Sequence, residues 1–238
     1  MNPRFSIIVP VLNEGVGINQ LIAHARILAN SSGLSAEILV VDGDPEGKTI
    51  ASIGDREVVT TLGIKGRGYQ MNAGAALAKG EILLFLHADT RLPDDALSLI
   101  DAVCGRSASA AGAFDLAIDS RRTVFRLIEK TASLRSRLTR IPYGDQAFFF
   151  AADYFRRLGG FAGISLMEDV EIMRRIKKRR ERIVFIDRPA RTSARRWEKE
   201  GILKCTLRNW CLLTLYLFGV APGRLVRFYQ IYSVEKTV

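Results

Sequence analysis

The stretch EILLFLHADT, residues 81–90, decides the fold that the sequence predicts. Its apolar run, residues 82–86, has the length of a strand that is buried on both faces of a parallel sheet. A carboxylate at the carboxyl end of such a strand lies where open α/β sheets bind their ligands. Asp89, beside the imidazole of His87, could there hold a divalent metal ion against a phosphate-bearing substrate. The alternative is that Asp89 only caps the next helix.

Strands and helices alternate through the first ninety residues, which predicts a doubly wound, mostly parallel sheet with flanking helices. The predicted strands are 5–12, 37–41, 56–61 and 82–86, and the predicted helices are 17–29 and 66–79. The carboxyl ends of parallel strands lie on one edge of a sheet, so Glu14, Asp42, His87 and Asp89 should share a crevice. No GxGxxG or GxxxxGK[ST] motif is present, which argues against an NAD-type fold and a P-loop NTPase.

The second half of the chain is less regular. We expect helices at 94–103, 121–138 and 166–178, strands at 113–118, 146–151 and 183–186, and a loop at 156–161. No linker divides the chain, so the simplest division is one domain over residues 1–200 and a C-terminal helical extension over residues 201–238. The uncharged segment 209–223 is too short to span a bilayer, and could be a core helix or an interfacial one.

The chain carries a strong positive charge, with 35 Lys and Arg residues against 25 Asp and Glu residues. A basic surface favours anionic partners such as nucleotides, acidic lipid headgroups or nucleic acid. The three cysteines form no CxxC pair and indicate a reducing compartment. The N-terminus does not look like a signal peptide, so we expect a cytoplasmic protein.

Seven segments together resemble the family 2 glycosyltransferases, whose fold is called GT-A. The segments are IVPVLNE, VVDGD, GRGYQMNAGA, LFLHADT, GDQAFFF, GGF and LMEDVEIMRRIKKR, and the resemblance covers roughly residues 5 to 197. It implies a glycosyltransferase of the hexosyltransferase type that uses a nucleotide sugar and Mn²⁺ or Mg²⁺. Each segment alone is a weak signal, whereas their order and spacing are specific.

The resemblance also implies roles for individual residues. Asp89 matches the last acid of an Asp-x-Asp metal motif, and Asp169 matches the catalytic base, with Glu168 beside it as the second catalytic residue of the pair. The residues implied in nucleotide binding are Pro10, Asn13, Glu14, Asp42, Arg67 and His87, and those on the acceptor side are Asp145, Arg196 and Trp197.

The sequence departs from the family pattern at three places. His87 stands where the first metal-binding Asp is usual, and imidazole suits Mn²⁺ better than Mg²⁺. The usual Asp-Asp-Gly-Ser after the second strand is DGDP, residues 42–45, and the usual Gln before the Arg-Trp pair is absent, with Thr192 and Ser193 in this region. The first departure bears on which metal ion binds, and the second bears on the contact with the ribose.

The chemistry of sugar transfer needs few groups. A diphosphate leaving group needs its growing charge neutralised, which a metal on Asp89 and the guanidinium of Arg67 would do. The acceptor hydroxyl needs one base, for which Asp169 is the candidate. A single base on the face opposite the leaving group predicts inversion, whereas a glycosidase needs two carboxylates.

Several candidate residues have a purely structural alternative. The Glu168–Asp169 pair would suit a helix start, Asp42 a turn, and Arg67 the start of another helix. His87 could support the site without touching metal, Asp145 could cap a turn, and Trp197 could be a core residue.

Two other functions compete with glycosyl transfer. A sugar-phosphate nucleotidyltransferase has a similar sheet and metal site, but it should carry a Gly- and Arg/Lys-rich signature where this chain has Asn13, Glu14 and Gly15. A non-catalytic nucleic-acid-binding module would suit the net charge of +10. The basic residues lack interleaved aromatic residues, so we expect no nucleic-acid partner.

The partners that we expect are therefore a nucleotide sugar and a hydroxyl acceptor, for which a lipid-linked molecule is a candidate. The basic run 174–182 either forms a solvated helix face or attracts an anionic membrane or a charged acceptor. The apolar C-terminal segment is accompanied by basic and amphipathic residues, among them Lys204, Arg208, Trp210 and Arg224. These residues favour peripheral contact with the inner face of the membrane.

Overall fold

The computed structural model describes residues 2–106 and 111–234, with side chains as far as residue 228. Its centre is one eight-stranded sheet. The strands are β1 (Phe5–Val11), β2 (Ala36–Asp42), β3 (Val59–Leu62), β4 (Ile82–Phe85), β5 (Thr90–Arg91), β6 (Ala111–Asp119), β7 (Phe148–Ala151) and β8 (Val184–Ser193). Their order across the sheet is β3-β2-β1-β4-β7-β6-β8-β5.

Helices cover both faces of the sheet. They are α1 (Ile18–Ser32), α2 (Lys48–Ala51), α3 (Arg67–Leu77), α4 (Ala96–Cys104), α5 (Thr123–Thr139), α6 (Ala152–Leu158), α7 (Glu168–Lys178), α8 (Arg195–Glu200), α9 (Ile202–Leu217) and α10 (Pro222–Val234). One 3₁₀ turn, Gly144–Gln146, precedes β7.

The first four strands in chain order are parallel, with β1 between β2 and β4. Along β1, Ile7 and Val9 join an apolar cluster with α1 and α4, while Ile8 joins a second cluster with α3, α6 and α7. Burial on both faces explains why these strands are continuous apolar runs. Beyond β4 the sheet becomes mixed, because β7 runs antiparallel to β4 and to β6. The predicted mostly parallel α/β fold is confirmed.

Three predictions of secondary structure are wrong in extent. The strand predicted at 56–61 forms only over Val59–Leu62, because only these residues pair with β2. The strand predicted at 183–186 continues to Ser193, because β8 pairs with β6 from Gly112 to Asp119 while Asp187 and Arg188 bulge out of the register. The bulge lets Pro189, which has no N–H group, lie within a strand. The loop predicted at 156–161 begins only at Gly159, the left-handed residue that ends α6.

The apolar C-terminal segment forms two helices, α9 and α10, which are separated by a turn at Gly219. The side chains of Leu213 and Tyr216 on α9 pack against the second cluster of the main body. Within the part of the chain that the structure describes, no helix has the length and apolar character needed to cross a membrane. The last four residues of the predicted extension, 235–238, lie outside the described residues.

Candidate active site

A crevice of about 640 Å³ lies at the carboxyl edge of the parallel strands. Loops from six parts of the fold meet there: the ends of β1 and β4, the starts of α3 and α7, the 3₁₀ turn, and the segment from the end of β8 to α9. The lining residues are Asn13, Glu14, Arg67, His87, Asp89, Tyr143, Gly144, Asp145, Leu166, Met167, Glu168, Asp169, Thr192, Ser193, Arg195, Arg196, Trp197, Lys199, Glu200, Asn209 and Leu212.

All the site residues predicted from the sequence line this crevice, except Pro10 and Asp42. Asp42 is fully buried, and its carboxylate accepts hydrogen bonds from the backbone N–H groups of Asp44 at 2.9 Å and Thr49 at 3.0 Å. The side chain thus holds the turn between β2 and α2, which is the structural alternative for this residue. Pro10 is half-buried within β1.

Asp169 is held in position by two main-chain groups. Its Oδ2 accepts a hydrogen bond from the N–H of Gly144 at 2.9 Å, and its Oδ1 accepts one from the N–H of Val170 at 2.7 Å. Asp169 lies in the first turn of α7, where the helix dipole favours an anion. These contacts fix the orientation of a carboxylate that is half-buried at the crevice.

Glu168, the other acid of the pair, is buried. Burial, and after it the neighbouring Asp169 carboxylate, raises the pKa of Glu168 to about 7. The start of α3 lies close by, because a Cβ at Gly68 would lie 3.3 Å from the Cβ of Glu168. Burial therefore lets Glu168 keep its proton up to the neutral pH range.

Asp145 reaches the crevice from the 3₁₀ turn. Its Oδ1 is buried and has no hydrogen-bond partner within the described structure. Burial raises the pKa of Asp145 to about 6, although the Arg135 guanidinium acts in the opposite direction. A buried carboxylate oxygen without a partner is costly, so Oδ1 is available for a ligand hydroxyl or a cation.

His87 lies between two arginines. Burial lowers the pKa of His87 well below its usual value, and the guanidinium groups of Arg67 and then Arg196 lower it further. The imidazole is therefore neutral near pH 7 and can use one nitrogen as an acceptor. It also lies against Gly144, where a Cβ would come within 3.1 Å of Nε2.

The acid at the end of β4, Asp89, is exposed at the crevice. The hydroxyl of Thr192 lies 3.5 Å from its Oδ1, and the backbone N–H of Ser193 donates to its carbonyl oxygen at 3.2 Å. The C-terminal end of β8 thus supports the loop that carries Asp89. Sequence reasoning noted Thr192 and Ser193 only as a departure from the family pattern and assigned them no role.

Trp197 and Arg196 differ in their surroundings. Trp197 is buried in a small apolar cluster, with its ring 6.1 Å from that of Phe125 and nearly perpendicular to it, although it also borders the crevice. Arg196 points its Nε toward Glu200 at 3.6 Å. Trp197 therefore has the core role that was its structural alternative, together with a place on the crevice wall.

Sequence reasoning missed several lining residues. Arg195 forms an ion pair with Glu14 at 3.1 Å, which joins α8 to the loop after β1 across the crevice. Asn209 and Leu212 of α9 also line the crevice, although the extension carried no assigned site residue. The signal that could have found them is the spacing of Cys205, Asn209 and Leu212 by four and three residues. This spacing places all three on one face of α9, the face that is turned toward the protein.

The residues that could hold a divalent ion form an incomplete ligand set. Within residues 2–106 and 111–234, no group of three or more His, Cys, Asp or Glu side chains converges closely enough to hold an ion. Asp89, the neutral His87 and the unpartnered oxygen of Asp145 nevertheless border one crevice. They fit an ion that takes one or two protein ligands and completes its shell with substrate phosphates and water, as Mg²⁺ commonly does.

A ligand crevice at the carboxyl edge of a parallel sheet, lined by acids and arginines, defines an α/β protein suited to a phosphorylated ligand. The chain matches the family model described as glycosyl transferase family 2 over residues 6–165. The chain belongs to this family, since the match covers more than half of its length. The comparison with curated proteins gave no significant match.

Several solved glycosyltransferases share the fold. The mannosyltransferase PcManGT from Pyrobaculum calidifontis, solved with GDP-Man and Mn²⁺, has a TM-score of 0.63 and 17% identity over 99% of this chain and 71% of its own. S. aureus TarS 1–349 has a TM-score of 0.60 and 16% identity over 80% of this chain and 60% of its own. TarS has also been solved with UDP-GlcNAc. At these identities the likeness shows the fold alone.

Proposed function

We propose that this chain transfers a sugar from a nucleotide-diphosphate donor to a hydroxyl acceptor, with inversion at the anomeric carbon. The observation that carries the proposal is that Asp89 and a main-chain-oriented Asp169 border the same crevice. The crevice has a volume of about 640 Å³, which suits a ligand of nucleotide-sugar size. Membership of glycosyl transferase family 2 supports the same reaction class.

On the donor side, the departing diphosphate gains negative charge as the bond from the anomeric carbon to the phosphate oxygen breaks. Arg67 is exposed and is the first residue of α3. Its guanidinium group and the N-terminus of the helix can both stabilise that negative charge. A divalent ion, Mn²⁺ or Mg²⁺, held at Asp89 would supply Lewis-acid stabilisation to the same group. The Mn²⁺ in the PcManGT structure supports a divalent ion in this fold.

For the rest of the nucleotide, we propose contacts with Pro10, Asn13, Glu14 and His87. The neutral imidazole of His87 offers a hydrogen-bonding nitrogen between Arg67 and Arg196 without adding a third positive charge. For Asp42 we propose an indirect role, since its carboxylate holds the β2–α2 turn by accepting main-chain hydrogen bonds. The neighbours solved with GDP-Man and UDP-GlcNAc support a nucleotide-sugar donor and do not decide the base.

On the acceptor side, we propose Asp169 as the general base. Its carboxylate accepts the proton of the acceptor hydroxyl while the acceptor oxygen attacks the anomeric carbon from the face opposite the diphosphate. Glu168, with a pKa of about 7, stays largely protonated in slightly acidic solution and would not compete as the base there. Asp145, Arg196 and Trp197 are proposed to position the acceptor.

The acceptor that we propose is lipid-linked, and the protein would contact the inner face of the membrane peripherally. Helix α9 supports this, because Asn209 and Leu212 line the crevice while Leu203, Leu207 and Trp210 are exposed at 73%, 57% and 57%. Such a helix can contact an interface with one face and the substrate with the other.

The test is product analysis after a thermal-shift screen of nucleoside diphosphates and their sugars with Mn²⁺. With the donor that stabilises the protein most, the anomeric configuration of the product is read by proton NMR, and an inverted configuration is expected. A retained configuration would contradict the single-base mechanism. Pyrophosphate released from a nucleoside triphosphate would identify a nucleotidyltransferase, and a salt-sensitive gel shift with ordinary DNA would favour the nucleic-acid module.

A further inference from the structure

Helix α5 exposes a stripe of apolar side chains, which we call the α5 stripe: Val124, Leu127, Leu134 and Leu138. Their exposed fractions are 41%, 64%, 58% and 75%. The spacings of three, seven and four residues place all four on one side of a helix. The opposite side of α5 is anchored by buried Phe125 and Ser136. The stripe is thus an outward apolar face on a helix that is already docked by its other face.

Basic residues accompany the α5 stripe. Lys130 is exposed on its flank, beside Arg126 and Arg137, which are paired with Glu129 and Asp115. Glu129 is the one acidic residue of α5, and it turns inward to accept the backbone N–H of Ile118. The surface around the stripe is therefore basic rather than neutral.

A second basic segment lies at the C-terminal end of the stripe. The ammonium group of Lys177 on α7 donates to the carbonyl oxygen of Thr139, the last residue of α5, at 3.1 Å. This contact brings the exposed run Lys177–Arg180 next to the end of α5 that carries Leu138. Apolar and positive side chains therefore share one surface.

We propose that the α5 stripe docks on an anionic lipid bilayer surface. Helices that lie in a membrane interface combine an exposed apolar face with flanking Lys and Arg, and each basic residue near an anionic surface adds to binding. A second copy of the chain is the less favourable occupant, because pairing two stripes face to face would bring two sets of like charges together. The net charge of +10 acts in the same direction.

Docking through α5 would bring the crevice close to the lipid. The chain passes from the end of α5 through residues 140–142 to Tyr143, Gly144 and Asp145 on the crevice wall. A membrane-resident acceptor could then reach Asp169 without leaving the bilayer surface. This consequence rests on the proposed glycosyl transfer, whereas the docking itself does not.

The test is flotation of the purified full chain with vesicles of phosphatidylcholine alone or with roughly 30% phosphatidylglycerol. We expect binding only to the anionic vesicles, and weaker binding when the salt rises from roughly 0.1 M to 0.5 M. Leu127→Gln/Leu134→Gln should weaken binding by roughly tenfold or more. Lys130→Gln/Lys178→Gln should weaken it by roughly 25-fold, at about 1 kcal/mol for each charge.

Matched controls change equally exposed residues elsewhere on the surface. Ile27→Gln/Leu77→Gln and Arg56→Gln/Lys79→Gln remove the same kinds of groups from other elements, and they should bind vesicles like the wild type. All variants should retain nucleoside-diphosphate binding. This measurement shows, independently of vesicle binding, that the variants are folded and that the crevice is intact.

Three outcomes would overturn the proposal. The first is absence of wild-type binding to anionic vesicles, and the second is equal binding by the wild type, Leu127→Gln/Leu134→Gln and Lys130→Gln/Lys178→Gln. The third is a dimer in sedimentation velocity that Leu127→Gln/Leu134→Gln disrupts, which would assign the stripe to a second copy of the chain. A failed glycosyl-transfer assay with intact vesicle binding would count against the proposed function and leave the docking surface standing.

Discussion

The backbone N–H of Gly144 donates a hydrogen bond to Oδ2 of Asp169 at 2.9 Å, across 25 residues of sequence. The 3₁₀ turn that carries Gly144 and the first turn of α7 thus meet at one carboxylate. The same glycine faces the imidazole of His87, since a Cβ there would lie 3.1 Å from Nε2 and 3.7 Å from Oδ2 of Asp169. Gly144 therefore sets the spacing between the proposed donor and acceptor sides of the crevice.

Replacing Asp169 tests the proposed base. Asp169→Asn keeps the size of the side chain but removes its ability to accept the acceptor proton, so turnover should fall by about 10²–10⁴-fold. Nucleotide binding, measured by isothermal titration calorimetry, should stay nearly unchanged. Glu171→Gln is the control, since Glu171 lies in the same helical turn but pairs with Arg175. Wild-type turnover by Asp169→Asn would show that another group is the base.

Gly144→Ala tests the spacing of the crevice. The added methyl group would press on the imidazole of His87, which must shift by a few tenths of an ångström. We expect turnover to fall by roughly tenfold, because small displacements of positioned groups are costly in catalysis. Gly17→Ala, where a Cβ meets nothing within 4 Å, is the control. Equal turnover of both variants would contradict the role given to Gly144.

Asp89→Ala tests the proposed metal ligand. The wild type should bind a nucleoside diphosphate more tightly with Mn²⁺ than without it, and the variant should lose roughly tenfold or more of that Mn²⁺-dependent affinity. The measurement is calorimetry with and without Mn²⁺. Asp94→Ala removes an exposed acid five residues further on and should leave the affinity unchanged. If the Mn²⁺ effect persists in Asp89→Ala, the ion is held elsewhere.

The fold and most of the candidate site were predictable because their signals are local. The strand that ends before His87 is a continuous apolar run, and acids after such runs fall at one edge of a parallel sheet. The Glu168–Asp169 pair stands at the start of an amphipathic helix, where its position follows from helix periodicity. Chain order and hydrophobic pattern therefore placed these residues at a strand end and a helix start, whereas the role of the Glu168–Asp169 pair in the site was implied by the resemblance to family 2 glycosyltransferases.

The extent of β8 depends on contacts between distant segments. The strand predicted at 183–186 stops short of the end of β8, because pairing with β6 accommodates Asp187 and Arg188 as a bulge and continues from Pro189. Asp42 lies at a strand end as predicted, but main-chain N–H groups of the following turn capture its side chain. These donors lie only two and seven residues further along the chain, so the turn role of Asp42 is local, and it is the alternative that the sequence had left open.

Glu168 should make stability depend on pH. The pKa of its carboxyl is about 7 in the folded protein and near 4.5 unfolded, so the folded state binds more protons between these values. Its burial therefore lowers the free energy of unfolding progressively as the pH rises from about 4.5 to 7. Glu168→Gln removes this effect, and its gain over the wild type should grow from pH 5 to pH 8, by at most about 3 kcal/mol.

Urea unfolding at several pH values measures this difference. Glu198→Gln, which changes an exposed acid of α8, should show no such pH trend relative to the wild type. A constant difference between Glu168→Gln and the wild type across this range would mean that Glu168 titrates normally in the folded protein.

Gln70 joins the ends of the neighbouring strands β1 and β2, and its removal should destabilise the fold without touching the crevice. The buried Nε2 of Gln70 donates to the carbonyl oxygens of Val11 at 2.7 Å and Val41 at 2.8 Å. Gln70→Leu leaves both carbonyls without this donor, so the free energy of unfolding should fall by about 1–3 kcal/mol. Gln20→Leu, at an exposed position of α1, is the control. Equal urea midpoints for the two variants would show that water replaces the amide at the strand ends.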